Sequence, residues 1–254
     1  MGLIKIASDG TLDTTFDTDG RLSIDSGTSW LHTNVTGISI LEDSGEVWLS
    51  GINGFDEEND NRYASFKYRM DDGTPTTGYT TLAKDSGSGS YLTPGRSIVT
   101  RDGNLVLFAS YKTSAVCSGT CELNASIASF NSNGNANEDF GASPDGIRNF
   151  DLQSGTTSAN VFTSGVETFS GRILAVGDYN NYSDWLISCH DANGAQSNAC
   201  SRSGSVNHRN FHLGGTEEGI SSVAMDSRGR FVVGGYTDLT GGNGIDFAIR
   251  RMWP

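Results

Sequence analysis

The stretch DGTLDTTFDTDG, Asp9 to Gly20, decides how the rest of the chain is read. Its Asp, Thr and Gly residues are those of tight turns, because they bond the local backbone or accept its dihedrals. One aromatic, Phe16, stands among them, six residues after Gly10. That spacing returns: Gly73 precedes Tyr79 and Gly134 precedes Phe140 by six, while Gly194 precedes Cys200 by six. The steps between these glycines are 63, 61 and 60 residues. Seven residues before each stands a large apolar residue, Leu3, Phe66, Ile127 and Ile187, and the C-terminal DFAIRRM offers Ile249 as a fifth.

A second landmark lies between these turns. SGEVWLSG, DGNLVLFA, SGRILAVG and RGRFVVGG each join a turn glycine (Gly45, Gly103, Gly171, Gly229) to an apolar strand, and another strand precedes each. Every unit thus carries four short strands, a to d. In the first unit a is Gly37 to Leu41, b is Glu46 to Gly51, c is Tyr63 to Met70, and d lies near Thr80 to Lys84. No long segment has the 3.6-residue helical period. A self-similar unit of four strands predicts an all-β fold, a β-propeller of about four blades. The units fall at about 26–84, 85–151, 152–213 and 214–254, preceded by strand-like sequence in 1–25. The last unit lacks only strand d. GRLSID, Gly20 to Asp25, is expected to supply it by pairing with Phe247 to Met252, which would close the ring and leave no sheet edge. Leu3 to Ala7 is then a surplus strand, either part of a blade whose remainder was trimmed or a strand that pairs with another copy of the chain.

DGTLDTTFDTDGRLSID, VAMDSRGRFVVGGYTD and DFAIRRM together resemble the bacterial delta-60 repeat family. The resemblance spans nearly the whole chain and is eroded in the middle units. Asp17 stands where that family usually has glycine, and the copy ending at Cys200 lacks the aromatic. The resemblance implies a propeller-like fold in a large secreted or surface protein, and it implies no catalytic residue. Within the fold, Phe16, Tyr79 and Phe140 are expected to be buried plugs, one per blade.

The chain has 254 residues, of which 35% are hydrophobic; Gly numbers 33 and Pro 4, a composition that suits many short strands and tight turns. The net charge of −13 disfavours nucleic acid, whose phosphates would be repelled. No apolar run is long enough to span a membrane as a helix. Strand-like LIKIA begins at Leu3 with no leader before it, as in a trimmed chain. The four cysteines form two local sets, Cys117 with Cys121 and Cys189 with Cys200, at spacings that fit no zinc site. They read as two disulfides, Cys117–Cys121 and Cys189–Cys200, which point to an oxidising compartment and an extracellular or cell-surface location.

In such a blade the b–c and d–a loops share one face, and here they vary while the a–b turns stay uniform. The variable face gathers Trp30, His32, Phe55, Tyr91, Tyr179 and Tyr182. Rings beside Asn and Asp suit a sugar, since the ring covers the C–H face and the polar groups bind hydroxyls; the same rings could instead pin the loops. Asp56, Glu58 and Asp60 are weak candidates for Ca2+, without the order of a calcium loop, and no other cofactor is expected. Asp13, Asp17 and Asp19 are a similar acidic group. His208 and His212 are about 13 Å apart along a strand, too far to share a metal. No G-x-S-x-G, H-E-x-x-H or P-loop pattern occurs. The expectation is therefore a non-enzymatic recognition or adhesion module for a glycan or surface protein. The alternatives are a propeller glycoside hydrolase or lyase, and a structural spacer.

Overall fold

The computed structural model describes residues 2–24, 32–54, 62–82, 91–112, 123–141, 145–152, 159–198, 208–239 and 244–252; for residues 32, 33, 78, 79, 91 and 239 it describes the backbone alone. The described chain is all-β, with seventeen strands in successive antiparallel sheets. A two-stranded N-terminal sheet pairs β1 (Gly2–Ile4) with β2 (Arg21–Ser23). Sheet I follows as β3 (His32–Leu41), β4 (Glu46–Gly54), β5 (Arg62–Arg69) and β6 (Pro75–Leu82). Sheet II holds β7 (Tyr91–Val99), β8 (Leu105–Lys112), β9 (Leu123–Phe130) and β10 (Ile147–Phe150). Sheet III holds β11 (Val161–Glu167), β12 (Ile173–Tyr179), β13 (Asp184–His190) and β14 (His208–Phe211). Sheet IV has three strands, β15 (Gly215–Met225), β16 (Phe231–Leu239) and β17 (Asp246–Met252).

The repeat is visible in the hydrogen bonds. At each a–b turn the glycine N–H (Gly45, Gly103, Gly171, Gly229) donates to the carbonyl three residues back, on Glu42, Thr100, Thr168 and Asp226. All four glycines have φ between 65° and 77°, a region that residues with a Cβ avoid. Every first strand carries a register shift at the same place, at Val35/Gly37, Pro94/Ser97, Phe162/Ser164 and Ile220/Ser222. The second strands of sheets I to III, such as LVLFASYK in β8, are buried without alternation because a neighbouring sheet covers each face.

The sheets stack face to face, with a separate core at each junction. Val47, Leu49 and Phe66 of sheet I meet Leu3, Leu22 and Ile24 of the N-terminal segment. Trp48 and Tyr63 meet Leu107 and Phe130 between sheets I and II. Phe108 and Ile127 meet Ile173 and Leu186 between II and III. Trp185 and Ile187 meet Ile220, Phe231 and Val233 between III and IV.

Phe16 and Phe140 are buried, at 2% and 1% exposure. Each reaches the next unit: a Cβ on Gly73 would lie 3.2 Å from the Phe16 ring, and one on Gly194 only 2.6 Å from the Phe140 ring. The residues after the plugs bind the same turns, Asp17 N–H to Asp72 O and Gly141 N–H to Asn193 O. The second unit departs from this plan. Gly73 N–H donates to Arg69, four residues back instead of three, and β6 starts at once at Pro75. Tyr79 therefore lies inside a strand, its side chain outside the described set, and Thr77 sits against Gly134 where a plug would be.

The expected ring closure is not found. Arg21–Ser23 pairs with β1, Leu22 opposite Leu3, and not with β17. Leu3–Ile4 is thus no surplus strand. Pairing two segments joined by one short loop costs about 2 kcal/mol less closure entropy than joining the two ends of the chain. The free edge of β17 has no strand partner among the described residues, and no closed sheet is formed.

Candidate functional site

The loop face holds a cluster of polar chemistry at the junction of sheets III and IV. It begins in the turn Asn180–Tyr182, where three successive residues other than glycine have positive φ, 53°, 59° and 65°. Such a run is unfavourable, least tolerable at Tyr182, and persists only when its surroundings fix it. Here they do. Asn181 N–H donates to Ala159 O, and Asn181 Oδ1 accepts from Ala159 N–H at 2.7 Å. Asn180 N–H reaches Asn160 Oδ1, and the Ser183 hydroxyl donates to Asn180 O. Finally Tyr182 O accepts from Glu218 N–H across the junction at 2.6 Å, so this turn is tied to sheet IV. The Tyr182 ring stays 39% exposed beside it.

Glu218 sits in β15 with no exposed surface. Its carboxylate accepts from Leu213 N–H (2.7 and 2.8 Å) and Gly215 N–H (2.8 Å), closing the short d–a loop on itself. That loop places His212 over the junction. His212 Nδ1 lies 3.2 Å from Asp184 Oδ1 and 3.5 Å from Glu218 Oε1. Asp184 is held in turn by Asn210 Nδ2 at 3.1 Å. The imidazole is 60% exposed, with its Nδ1 side toward the carboxylates. The ligand atoms of Asp184, His212 and Glu218 lie within 4.8 Å of one another, so the three could also hold a cation.

Asp178 lies at the same junction. It stands in β12 opposite Trp185 of β13, and its Oδ1 accepts from Ile220 N–H, two residues beyond Glu218, at 2.9 Å. Burial pushes its carboxyl up to about 7, with the Ile220 bond offsetting part of the rise. Burial also raises the Tyr182 phenol, with a smaller contribution from the Asp178 charge. Carboxyl groups from three strands, Asp178 of β12, Asp184 of β13 and Glu218 of β15, thus reach this junction.

Of the residues expected from sequence, the structure brings Tyr179 and Tyr182 to this place. Tyr179 stacks on His208, ring centres 5.5 Å apart. Trp30, Phe55 and the acidic set Asp56, Glu58 and Asp60 lie outside the described residues, as do the side chains of His32 and Tyr91. Cys189 is disulfide-bonded; Cys200, Cys117 and Cys121 lie outside the described residues. His208 and His212 do not combine; His212 finds Asp184 and Glu218 instead. The reading from sequence missed Asp178, Asp184 and Glu218. The one available signal was the shortness of the loop between His212 and Gly215, where other units have long d–a connections. Two clefts lie elsewhere, at the a–b turns. One, of about 220 Å3, is lined by Asp102, Asp139 and Glu167, but Glu167 is already engaged by Arg101 N–H at 2.8 Å.

No family model matches the sequence, and no curated protein matches it. Several solved structures are similar. The periplasmic gluconolactonase of Pseudomonas aeruginosa has a TM-score of 0.46 at 11% identity, with 88% of this chain covered. A GH43 β-1,3-galactosidase with galactodeoxynojirimycin has a TM-score of 0.47 at 9% identity, covering 99% of this chain and 79% of that one. The exo-β-1,3-galactanase of Clostridium thermocellum has 0.44 at 10% identity, over 98% and 62% of the two chains. This chain spans 58% of the gluconolactonase's length. The expectation of a non-enzymatic adhesion module is corrected here: the III–IV junction brings together Asp184, His212 and Glu218, an ionisable cluster that the sequence did not reveal.

Proposed function

We propose that the chain cleaves a glycosidic bond, with the reaction centre at the junction of sheets III and IV. One observation carries this reading: an exposed imidazole held by two carboxylates, at a junction that also buries a carboxyl which keeps its proton near neutrality. Groups with opposed proton affinities in one place are what acid–base cleavage needs. Asp178 gives its proton to the leaving oxygen as the C–O bond breaks. His212, oriented through Nδ1 by Asp184, takes a proton from the water that forms the new C–O bond. Glu218 fixes the loop that presents the imidazole. Tyr182 supplies a ring face for the sugar, and the amides of Asn180 and Asn181 frame it. The glycan is the substrate class because the exposed Tyr182 ring and the amides stand at the same junction as the exposed His212.

A panel of chromogenic glycosides at pH 5 to 8 tests the assignment. The wild-type protein is expected to release chromophore from at least one, with kcat/KM falling as pH rises through about 7, where Asp178 loses its proton. Asp178→Asn and His212→Ala should each lower kcat by roughly 10²- to 10⁴-fold, the usual contribution of an acid–base group. Tyr182→Ala should raise KM. Hydrolysis that survives both Asp178→Asn and His212→Ala undiminished, or no hydrolysis of any glycoside by folded protein, would overturn the proposal.

A further inference from the structure

The two outer faces of the stack are built like its inner junctions. Counting six residues from each a–b turn glycine marks Gly51, Ala109, Gly177 and Gly235 in the second strands, opposite Ala64, Ser126, Leu186 and Ala248 in the third. The residues on either side of these partners are then equivalent. On one side stand Tyr63, Ala125, Trp185 and Phe247, exposed by 1%, 0%, 0% and 78%. On the other stand Ser65, Ile127, Ile187 and Ile249, the first three exposed by 1% or less and Ile249 by 64%. In sheets I to III these positions face the following sheet. In sheet IV the same positions face solvent.

The opposite end mirrors this. The isolated bridges Ile6–Leu12, Phe130–Ala136 and His190–Gln196 mark equivalent residues, Phe130 and His190 being the last of their third strands. Phe130 and His190 are fully buried against the preceding sheet, whereas Ile6 is 51% exposed. Two residues earlier Ala128 and Ser188 are fully buried, and Ile4 is 60% exposed. On sheet I, the face that receives the N-terminal sheet also leaves Ile38 and Ile40 uncovered, at 57% and 60% exposure. One end therefore presents the forward half of a sheet junction and the other the backward half. Single exposed apolar residues need no explanation, but two clusters in register with buried positions do.

We propose that a second copy of this chain covers them, head to tail: Phe247 and Ile249 of one copy pack on Ile4, Ile6, Ile38 and Ile40 of the next. The two halves are complementary because within the chain each forward face already packs on a backward face of the same design. Such a contact joins different surfaces of the two partners, so it builds rings if the rotation closes and open chains if it does not.

Sedimentation of the intact chain over a range of concentrations tests this. The wild-type protein is expected to form concentration-dependent oligomers. A forward variant, Phe247→Arg with Ile249→Arg, and a backward variant, Ile4→Arg with Ile38→Arg, should each be monomeric. All four positions are exposed, so folding checked by circular dichroism should be unchanged. Mixing the two variants should restore dimers, since one good face remains on each, and nothing larger. A wild-type protein that stays monomeric at every concentration, oligomers indifferent to the arginines, or a mixture without dimers would overturn the proposal. Glycosidase activity is read separately and does not enter the outcome.

Discussion

His190 and Asp178 are both buried in sheet III, and burial favours the neutral form of each, with opposite consequences for stability. His190 lies between Phe150 and Phe162, ring centres 4.6 and 5.6 Å away, and its pKa is lowered from 6.5 to about 3. As pH falls from 6.5 toward 3 the unfolded chain takes up a proton that the folded one refuses, so stability is lost across that window. Asp178, raised from 3.8 to about 7, works the other way. As pH rises from 3.8 toward 7 the unfolded chain releases its proton first, and stability is lost in that direction. The two slopes oppose each other between about 4 and 6.5, and wild-type stability should be nearly flat there. Asp178→Asn keeps an acceptor for Ile220 N–H and should be more stable than wild type at pH 8, by up to about 4 kcal/mol. His190→Phe, which installs the residue found at the equivalent Phe130, should remove the loss below pH 6. Denaturant unfolding at a series of pH values checks both; an Asp178→Asn protein no more stable than wild type at pH 8 would show that this carboxyl is not held protonated. Neither group was legible as special in the sequence. Asp178 follows an apolar strand and His190 follows a cysteine, and only the approach of a neighbouring sheet removes water from them.

Strands and turns were more legible, because their signals are local. The four a–b turns stand where their glycines placed them, and the strands beside them extend a few residues beyond the expected limits. The plug at Phe16 followed from one aromatic at a fixed distance from a turn glycine, and Phe140 repeats it. Tyr79 did not, although its spacing is the same. One extra residue in the turn at Gly73 shifts the chain, and the strand resumes before a plug loop can form. Spacing in sequence counts residues; it does not say which of them the turn absorbs. Phe16→Ala and Phe140→Ala should each cost about 3–5 kcal/mol, the usual loss for an enclosed phenylalanine. Gly194→Ala should also destabilise, since its φ of 77° disfavours a side chain and its Cβ would meet the Phe140 ring at 2.6 Å. Combined with Phe140→Ala, which empties that space, the Gly194→Ala penalty should shrink to the backbone part alone. Thermal melts of the two singles and the double measure it; fully additive losses would mean that ring and turn do not touch. The site at His212 was illegible at this scale for a related reason. Its carboxylates come from strands 28 residues before and six residues after it, and no period links them.

Across the whole molecule, what was misjudged was the ends. The repeat predicted interior sheets correctly because each is bounded by two like itself. It could not say how the first and last would finish, and β2 took its nearest partner instead of its most distant one. A series of sheets held by nearest-neighbour junctions, with its ends unjoined, has stability that is greatest inside and least at its ends. Amide hydrogen exchange should therefore show the slowest opening in β8 and β12, which are covered on both faces, and the fastest among strands in β17, which has one free edge and one bare face. Equal protection in β17 and β12 for monomeric protein would contradict a stack of this kind.

The four a–b turns lie at the end of the sheets away from the His212 cluster, each closed by the same glycine-to-carbonyl bond. Because they repeat one geometry, a peptide inserted at any of them would leave on the same side and at a comparable angle. The chain thus offers a plane of four interchangeable attachment points behind its chemistry, where a tag or graft could be added without entering the rim that Tyr182 and His212 occupy.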